Sequence, residues 1–188
     1  MPRLAARTFA ALFIMLCAAL PARAEIEKIL NHCPDQQKLC PFFRASVTVP
    51  DGWVEDKEAS EYFKVVMLLP KGVNFEKAPA KIYVLARYNR DKRPIVEFLP
   101  ESIDDWKSRA KNGRIAKLDD LPRPGKAPFL RRSFEAPKLA EQGHELLAMT
   151  SDGDKDGNEF VVSVMLSANS RDALKAAEPA YLAILGKY

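Results

Sequence analysis

The sequence predicts an α+β fold in which helices pack on an antiparallel β-sheet. The chain has 188 residues, of which 47% are hydrophobic and 29% are charged, a balance typical of one globular domain. Several short runs alternate apolar and polar residues, whereas only two runs have helical spacing, one in the middle and one at the end. Adjacent strands joined by short turns favour antiparallel pairing, so this order predicts α+β and argues against a doubly wound parallel sheet.

Residues 1–24 are expected to form a secretory signal peptide. Arg3 and Arg7 precede an uncharged apolar run at residues 8–20, and Pro21-Ala22-Arg23-Ala24 has the small-x-small pattern of a cleavage site. The apolar run is shorter than the roughly 20 residues that a membrane-spanning helix needs. The sequence therefore predicts a periplasmic or secreted protein that does not span the membrane.

Two cysteines, Cys33 and Cys40, would remain after cleavage near Ala24. An even number of cysteines in an exported chain predicts a disulfide, which would staple an N-terminal arm at residues 25–41. A redox pair is one alternative, although Cys-x-x-Cys spacing would suit it better. A zinc site is another, and it would add His32 and His144.

A single domain is expected at residues 42–188, and its first half is predicted to be strands. Residues 43–49 alternate in polarity and end at the turn Pro50-Asp51-Gly52. Residues 62–69 are nearly all apolar, as in a strand covered on both faces. Residues 81–88 alternate again and form the third predicted strand.

A helix is predicted next, with Ser102 as its N-cap and Gly113 at its end. Asp104 and Asp105 would lie in its first turn, where the helix dipole favours acidic residues. Its apolar face would carry Ile103, Trp106 and Ala110.

The second half of the domain is predicted to be three strands and a terminal helix. A proline-rich turn at residues 121–125 leads into strands at residues 129–135, 144–150 and 160–167. The terminal helix would start from Ser170, and Pro179 should kink it or mark a restart. Its apolar stripe would carry Leu174, Ala177, Tyr181, Leu185 and Tyr188.

Several turns and elements together resemble the PsbP/Mog1 family over about residues 43–188. They are Pro50-Asp51-Gly52-Trp53, Leu68-Leu69-Pro70-Lys71-Gly72, the middle helix, the hairpin ending in Phe160-Val161-Val162-Ser163-Val164, and the closing helix. The resemblance implies an α/β/α sandwich used as a docking module. Known members include a photosystem accessory subunit and a binder of a small GTPase. Neither role carries over to single residues here, and the N-terminal arm lies outside the pattern.

An aspartate-rich segment at residues 152–158 is a candidate calcium site. Calcium needs several oxygen ligands, and aspartates at alternate positions with glycine at the sixth let one loop wrap an ion. The candidate ligands are Asp152, Asp154, Asp156 and Asn158. Ser163 stands where a bidentate Glu is required, so a simple β-hairpin turn is the favoured interpretation.

The densest basic cluster is a candidate binding site for an anionic partner. It consists of Arg87, Arg90, Lys92 and Arg93. Export argues against nucleic acid, so anionic lipid, lipopolysaccharide or an acidic protein face would be the partner. A solvated loop is the favoured alternative, because the chain without its leader is nearly neutral.

Enzyme motifs such as Gly-x-Ser-x-Gly, His-Glu-x-x-His and the phosphate-binding loop are absent from the sequence. His144 is expected to be a structural histidine, and Trp53 and Trp106 are expected to cover the core edge. We therefore predict no catalytic residues and an exported, non-enzymatic docking module of the cell envelope, with an envelope or secreted protein as its partner. The alternatives are a calcium-responsive binding protein and an enzyme of unknown class.

Overall fold

A computed structural model describes residues 26–32, 38–110, 112–136, 138–139 and 143–188. These residues form an antiparallel sheet of nine strands and three α-helices, which confirms the predicted α+β class. The helices are α1 (Lys57–Phe63), α2 (Phe98–Arg109) and α3 (Arg171–Lys187).

The strands in chain order are β1 (Ile26–His32), β2 (Leu39–Ala45), β3 (Trp53–Glu55), β4 (Val66–Pro70), β5 (Ala80–Tyr88), β6 (Arg114–Arg123), β7 (Lys126–Glu135), β8 (His144–Gly153) and β9 (Glu159–Ala168). The main path across the sheet is β1-β2-β5-β9-β8-β7-β6, and β4 pairs with both β3 and β5. All pairs are antiparallel. The central strands β9 and β8 therefore have neighbours on both sides and are almost entirely buried.

Side chains alternate across the sheet and build a separate core on each face. On β9, Val162 and Val164 pack beneath α3, whereas Val161 packs with residues of α2. Helix α1 lies on the same side as α2, because Ala59 packs on Met67 and not on the neighbouring Leu68, which belongs to the α3 core. We call these two sides the α3 face and the α1/α2 face.

The terminal helix begins where the sequence predicts. Ser170 is the N-cap, and its Oγ accepts a hydrogen bond from the backbone N–H of Ala173 at 3.2 Å. Tyr181, Ile184 and Leu185 are buried against the sheet. The helix runs as one element through Pro179, so it does not restart there, and the predicted kink stays a prediction.

Two predicted elements are placed differently in the first half. The strand predicted at residues 43–49 ends at Ala45. Of the strand predicted at residues 62–69, Tyr62 and Phe63 are instead the last turn of α1, and the strand begins at Val66. A seven-residue helix that ends in two aromatic residues has too few turns to show helical spacing in sequence.

Two boundaries also differ in the middle of the chain. Helix α2 begins at Phe98, so Ser102 lies inside it and is not its cap. The predicted proline-rich turn at residues 121–125 is shorter than expected, because Leu121 belongs to β6. The turn between β6 and β7 lies at Pro124 and at Gly125, whose φ of +72° suits glycine.

The predicted N-terminal arm contains two strands. β1 and β2 form a hairpin that joins the main sheet at the pair Phe43 and Ala86. Cys40 lies in β2, but Cys33 and the signal peptide at residues 1–24 lie outside the described residues. The disulfide between Cys33 and Cys40 therefore stays a prediction.

Candidate functional site

The aspartate segment forms the turn of the β8–β9 hairpin. Asp154 Oδ1 accepts the backbone N–H groups of Asp156 and Asn158, both at 2.9 Å, and Asp154 Oδ2 accepts Asn158 Nδ2 at 2.7 Å. These hydrogen bonds, the side chain of Asn158 first, lower the pKa of Asp154. The carboxylate that could serve an ion is thus already closing a turn.

Asp152, the first candidate ligand, is engaged elsewhere. Its Oδ2 lies 2.8 Å from Arg123 Nη2 and 3.3 Å from Lys126 Nζ, and its side chain is nearly buried. Within the described ranges, no three His, Cys, Asp or Glu side chains are grouped to hold a metal. This geometry favours the hairpin-turn interpretation, and the calcium hypothesis stays a prediction.

The basic cluster is an ion-pair network at the start of α2. The guanidinium groups of Arg87 and Arg93 lie 4.6 and 4.5 Å from the ring centre of Phe98. Both arginines also contact Glu101 at 3.1 Å, and the hydrogen bond from Arg93 lowers the pKa of Glu101. Most of the positive charge is therefore matched locally.

The other two members of the basic cluster lie at its outer end. Lys92 Nζ lies 3.9 Å from Glu159 Oε1, and Arg90 is exposed. Exposed pairs of this kind contribute little to stability. Binding of anionic lipid or lipopolysaccharide by this loop stays a prediction.

The remaining sequence candidates are core residues. Trp53 and Trp106 are both buried in core clusters, as expected. His144 is buried at the start of β8, and its Nδ1 lies 3.9 Å from Glu135 Oε1. Glu135 also pairs with Arg171. This surrounding is that of a structural histidine.

An exposed stack of aromatic rings is present on the α1/α2 face, at the end of α1. The rings of Tyr62 and Phe63 meet edge to face with centres 4.8 Å apart, and Phe63 stacks on Phe75 at 5.4 Å. Tyr62 is 78% exposed and Phe63 is 48% exposed. Large exposed aromatic groups of this kind mark interaction surfaces.

Local hydrogen bonds hold these rings in place. Asp56 caps α1 by accepting the N–H of Ala59 at 3.0 Å, and Ser60 Oγ accepts the N–H of Met67 at 2.8 Å, which ties the helix to β4. Lys64 ends the helix with a φ of 58°. The loop that carries Phe75 is closed by Asn74, whose Oδ1 accepts the N–H of Lys77.

The rings border a groove of about 500 Å³ between α1 and the loop after β4. Three carboxyl residues line the groove together with the rings: Asp56, Glu58 and Glu76. We call this surface, Tyr62, Phe63 and Phe75 with the three acidic residues, the aromatic groove. Lys81 Nζ lies over the ring of Phe75, 3.9 Å from the ring centre.

Sequence reasoning did not find the aromatic groove. Tyr62 and Phe63 were expected to be strand residues, and their exposure depends on the short helix α1. The signal that could have revealed it is Asp56 followed three residues later by Ala59, a capping position ahead of a mixed polar and apolar run.

No protein-family model matches the chain, and no curated protein matches it at a significant level. None of the helices in the described part of the chain is long and apolar enough to cross a membrane. The functional inference therefore depends on the surface geometry.

Proposed function

We propose that this protein is an exported, non-enzymatic docking module that binds a basic segment of a partner protein in the aromatic groove. The observation that carries the proposal is the pair of exposed rings of Tyr62 and Phe63, which pack on the half-buried ring of Phe75 and are bordered by carboxylates. The partner would be an envelope or secreted protein, in keeping with the predicted signal peptide at residues 1–24.

The chemistry of the groove favours a cation on an extended chain. Aromatic faces attract guanidinium and ammonium groups, and carboxylates at the rim add an opposite charge and exclude acidic partners. Lys81 on Phe75 is an intramolecular example of this contact. Arginine or lysine side chains of a partner could occupy the open faces of Phe63 and Tyr62 in the same way.

The arrangement of the helices on the sheet supports the same proposal. Helices cover both faces of the antiparallel sheet, as the resemblance to the PsbP/Mog1 family implies, and known members of that family act as docking modules. Fold alone gives function little support, so the groove carries the proposal.

The test is an NMR titration of the mature protein with two acetylated peptides of equal length, one alternating arginine with glycine and the other alternating glutamate with glycine. We expect the arginine peptide to shift the resonances of Tyr62, Phe63 and Phe75, and the affinity to fall as salt is added. The glutamate peptide should cause no shifts in the groove.

A pair of double variants separates the groove from general charge. Glu58→Lys with Glu76→Lys should lower the affinity for the arginine peptide about tenfold, because both charges at the rim of the groove are reversed. Asp119→Lys with Asp120→Lys makes the same charge change on β6 and should leave the affinity unchanged. Equal weakening by both pairs, or shifts outside the groove only, would overturn the proposal.

A further inference from the structure

A second opening on the α1/α2 face contains a buried carboxyl group. Glu145 lies in β8, paired with Phe134 of β7 and Ser167 of β9. Its side chain is fully buried and points to the side covered by α2, because its neighbour Leu146 belongs to the α3 core. A carboxyl group in the middle of a sheet is rare unless it is paired.

Glu145 is only partly paired. Its Oε1 accepts a hydrogen bond from Ser167 Oγ at 3.4 Å and lies 3.7 Å from Arg109 Nη1. Its Oε2 has no hydrogen-bond partner among the described residues, and neither does the buried indole Nε1 of Trp106. Burial raises the pKa of Glu145 to about 7, against the opposing effect of Arg109.

Glu145 and Trp106, the residues that carry these two unsatisfied atoms, both line one cleft between α2 and the sheet. The cleft has a volume of about 210 Å³, which exceeds the roughly 30 Å³ that a single water molecule occupies in the liquid. Its apolar wall consists of Trp106, Phe134 and Met165. The cleft therefore lies beside an acceptor that lacks a donor and a donor that lacks an acceptor, and both atoms are buried at its wall.

The charges of the cleft are unbalanced. Its lining carries three carboxyl groups and two guanidinium groups: Glu101, Asp105, Glu145, Arg87 and Arg109. Arg93 also pairs with Glu101, but it pairs with Glu97 as well. With Glu145 ionised, the cleft has one negative charge in excess.

The other polar groups on this face do not supply the missing donor. On β5, Lys81 Nζ lies over the ring of Phe75, and the hydroxyl of Tyr83, whose pKa is raised by burial, donates to the sulfur of Met165. On β7, Arg132 Nη1 donates to the carbonyl of Arg131. Glu145 Oε2 thus has no hydrogen-bond donor among the described residues.

We propose that this cleft, which we call the Glu145 cleft, binds a small primary amine that also carries a hydrogen-bond acceptor, of the size of an amino alcohol. The ammonium group would donate to Glu145 Oε2 and cancel the excess charge. The acceptor would take the indole N–H of Trp106, and the alkyl chain would lie against the apolar wall.

The test is calorimetric titration of the mature protein with three probes of five heavy atoms each. They are 3-amino-1-propanol, n-butylamine, which lacks the acceptor, and 1,3-propanediol, which lacks the charge. We expect the amino alcohol to bind best, the alkylamine more weakly and the diol not at all. Affinity should rise about tenfold from pH 6 to pH 8, with release of a proton, as Glu145 becomes ionised.

Two variants assign the binding to the cleft. Glu145→Gln should lower amino-alcohol affinity at least tenfold, since hydrogen bonds to charged groups are strong. Glu178→Gln on α3 is the matched control and should have no effect. Trp106→Phe should reduce the affinity for the amino alcohol to the affinity for n-butylamine. Loss of packing alone would not produce this change.

The outcomes that would overturn the proposal are clear. Amine binding that Glu145→Gln leaves unchanged, equal binding of the diol, or no binding at millimolar concentration would each do so. If Nα-acetyl-lysine methylamide bound more tightly than the amino alcohol, the ligand of the cleft would be a lysine side chain of a peptide and not a small molecule. The groove variant Glu58→Lys with Glu76→Lys should keep amine binding, so failure here is distinct from failure of the docking function.

Discussion

The two faces of the sheet each contain a buried charged residue, and the two residues differ in how completely their charges are paired. On the α3 face, the buried guanidinium of Arg123 lies 5.1 Å from the ring centres of both Phe129 and Tyr188 and pairs with Asp152. It also donates to the hydroxyl of Thr150 and to backbone carbonyls. On the α1/α2 face, Glu145 lines a cleft, and its buried Oε2 has no hydrogen-bond partner among the described residues. The charge of Arg123 is thus fully paired, although its Nε has no hydrogen-bond partner among the described residues, whereas the carboxylate of Glu145 is only partly paired. A paired buried charge favours stability, whereas an incompletely paired one favours a ligand.

The largest effect is expected on the α3 face. Arg123→Met should lower the free energy of unfolding by about 3 kcal/mol, because it leaves the nearly buried carboxylate of Asp152 with Lys126 as its remaining cation and the backbone N–H of Gly153 as its other partner. Urea denaturation measures this. Arg114→Met is the control, since Arg114 pairs with Glu135 while it is 79% exposed, and it should change nothing measurable. Equal stability of the two variants would break the comparison.

Removing the charge of Glu145 on the α1/α2 face should raise the free energy of unfolding above pH 7, in contrast to the loss expected for Arg123→Met. Burial raises the pKa of Glu145 to about 7 in the folded state, above the ordinary value of 4.5, so the folded protein binds a proton more tightly than the unfolded chain. Stability from this group is present below pH 4.5 and is lost as the pH rises to 7.

The measurement is the free energy of unfolding against pH for the wild type and for Glu145→Gln. Relative to the variant, the wild type should lose about 3 kcal/mol between pH 4.5 and 7 and then stay constant. The variant should be at least as stable as the wild type at pH 8. A pH-independent difference would show that Glu145 is not a buried acid of this kind.

A smaller change in stability is expected from a substitution in helix α3, which covers the α3 face. Pro179 is exposed within the continuous helix α3, where proline removes a backbone hydrogen bond. Pro179→Ala should therefore raise the free energy of unfolding, by less than the roughly 3 kcal/mol that proline costs in an isolated helix, because packing on the sheet holds α3 in place. Thermal unfolding measures the change, and Lys175→Ala, which keeps every backbone bond, should leave the melting temperature nearly unchanged.

The smallest change in melting temperature is expected on the addition of calcium. Because Asp152 is paired with Arg123 and Asp154 closes a turn, millimolar calcium should leave the melting temperature equal to that in chelator. Asp154→Ala should lower the melting temperature modestly with or without calcium. A calcium-dependent rise that disappears in Asp154→Ala would instead establish the aspartate segment as an ion site.

The sequence predicted best those elements whose side chains alternate strictly or carry a cap. β5 and β9 have apolar residues at every second position, and Ser170 caps α3. β6 was missed because both its faces are largely exposed, so charged residues such as Lys117, Asp119 and Asp120 hide the alternation. Short helix α1 was missed because its aromatic residues resemble a strand.

The candidate sites were harder to predict because they depend on which strands become neighbours. Glu145 follows His144 at the start of an apolar run and reads as an ordinary solvent-facing residue. Its burial arises only because β8 lies between β7 and β9 with α2 above it. The basic cluster was found, but its neutralisation by Glu101 requires the loop after β5 to fold back on α2.

The attachment of the β1–β2 hairpin has a consequence for dynamics. A single register pair, Phe43 with Ala86, joins it to β5, and the rings of Phe43, Tyr88 and Phe160 pack at that junction. β5 and β9, in contrast, are paired along their full length. The hairpin can therefore open as a separate cooperative unit. Its amide protons should exchange with solvent orders of magnitude faster than those of β9, so hydrogen exchange would reveal two stabilities within one sheet.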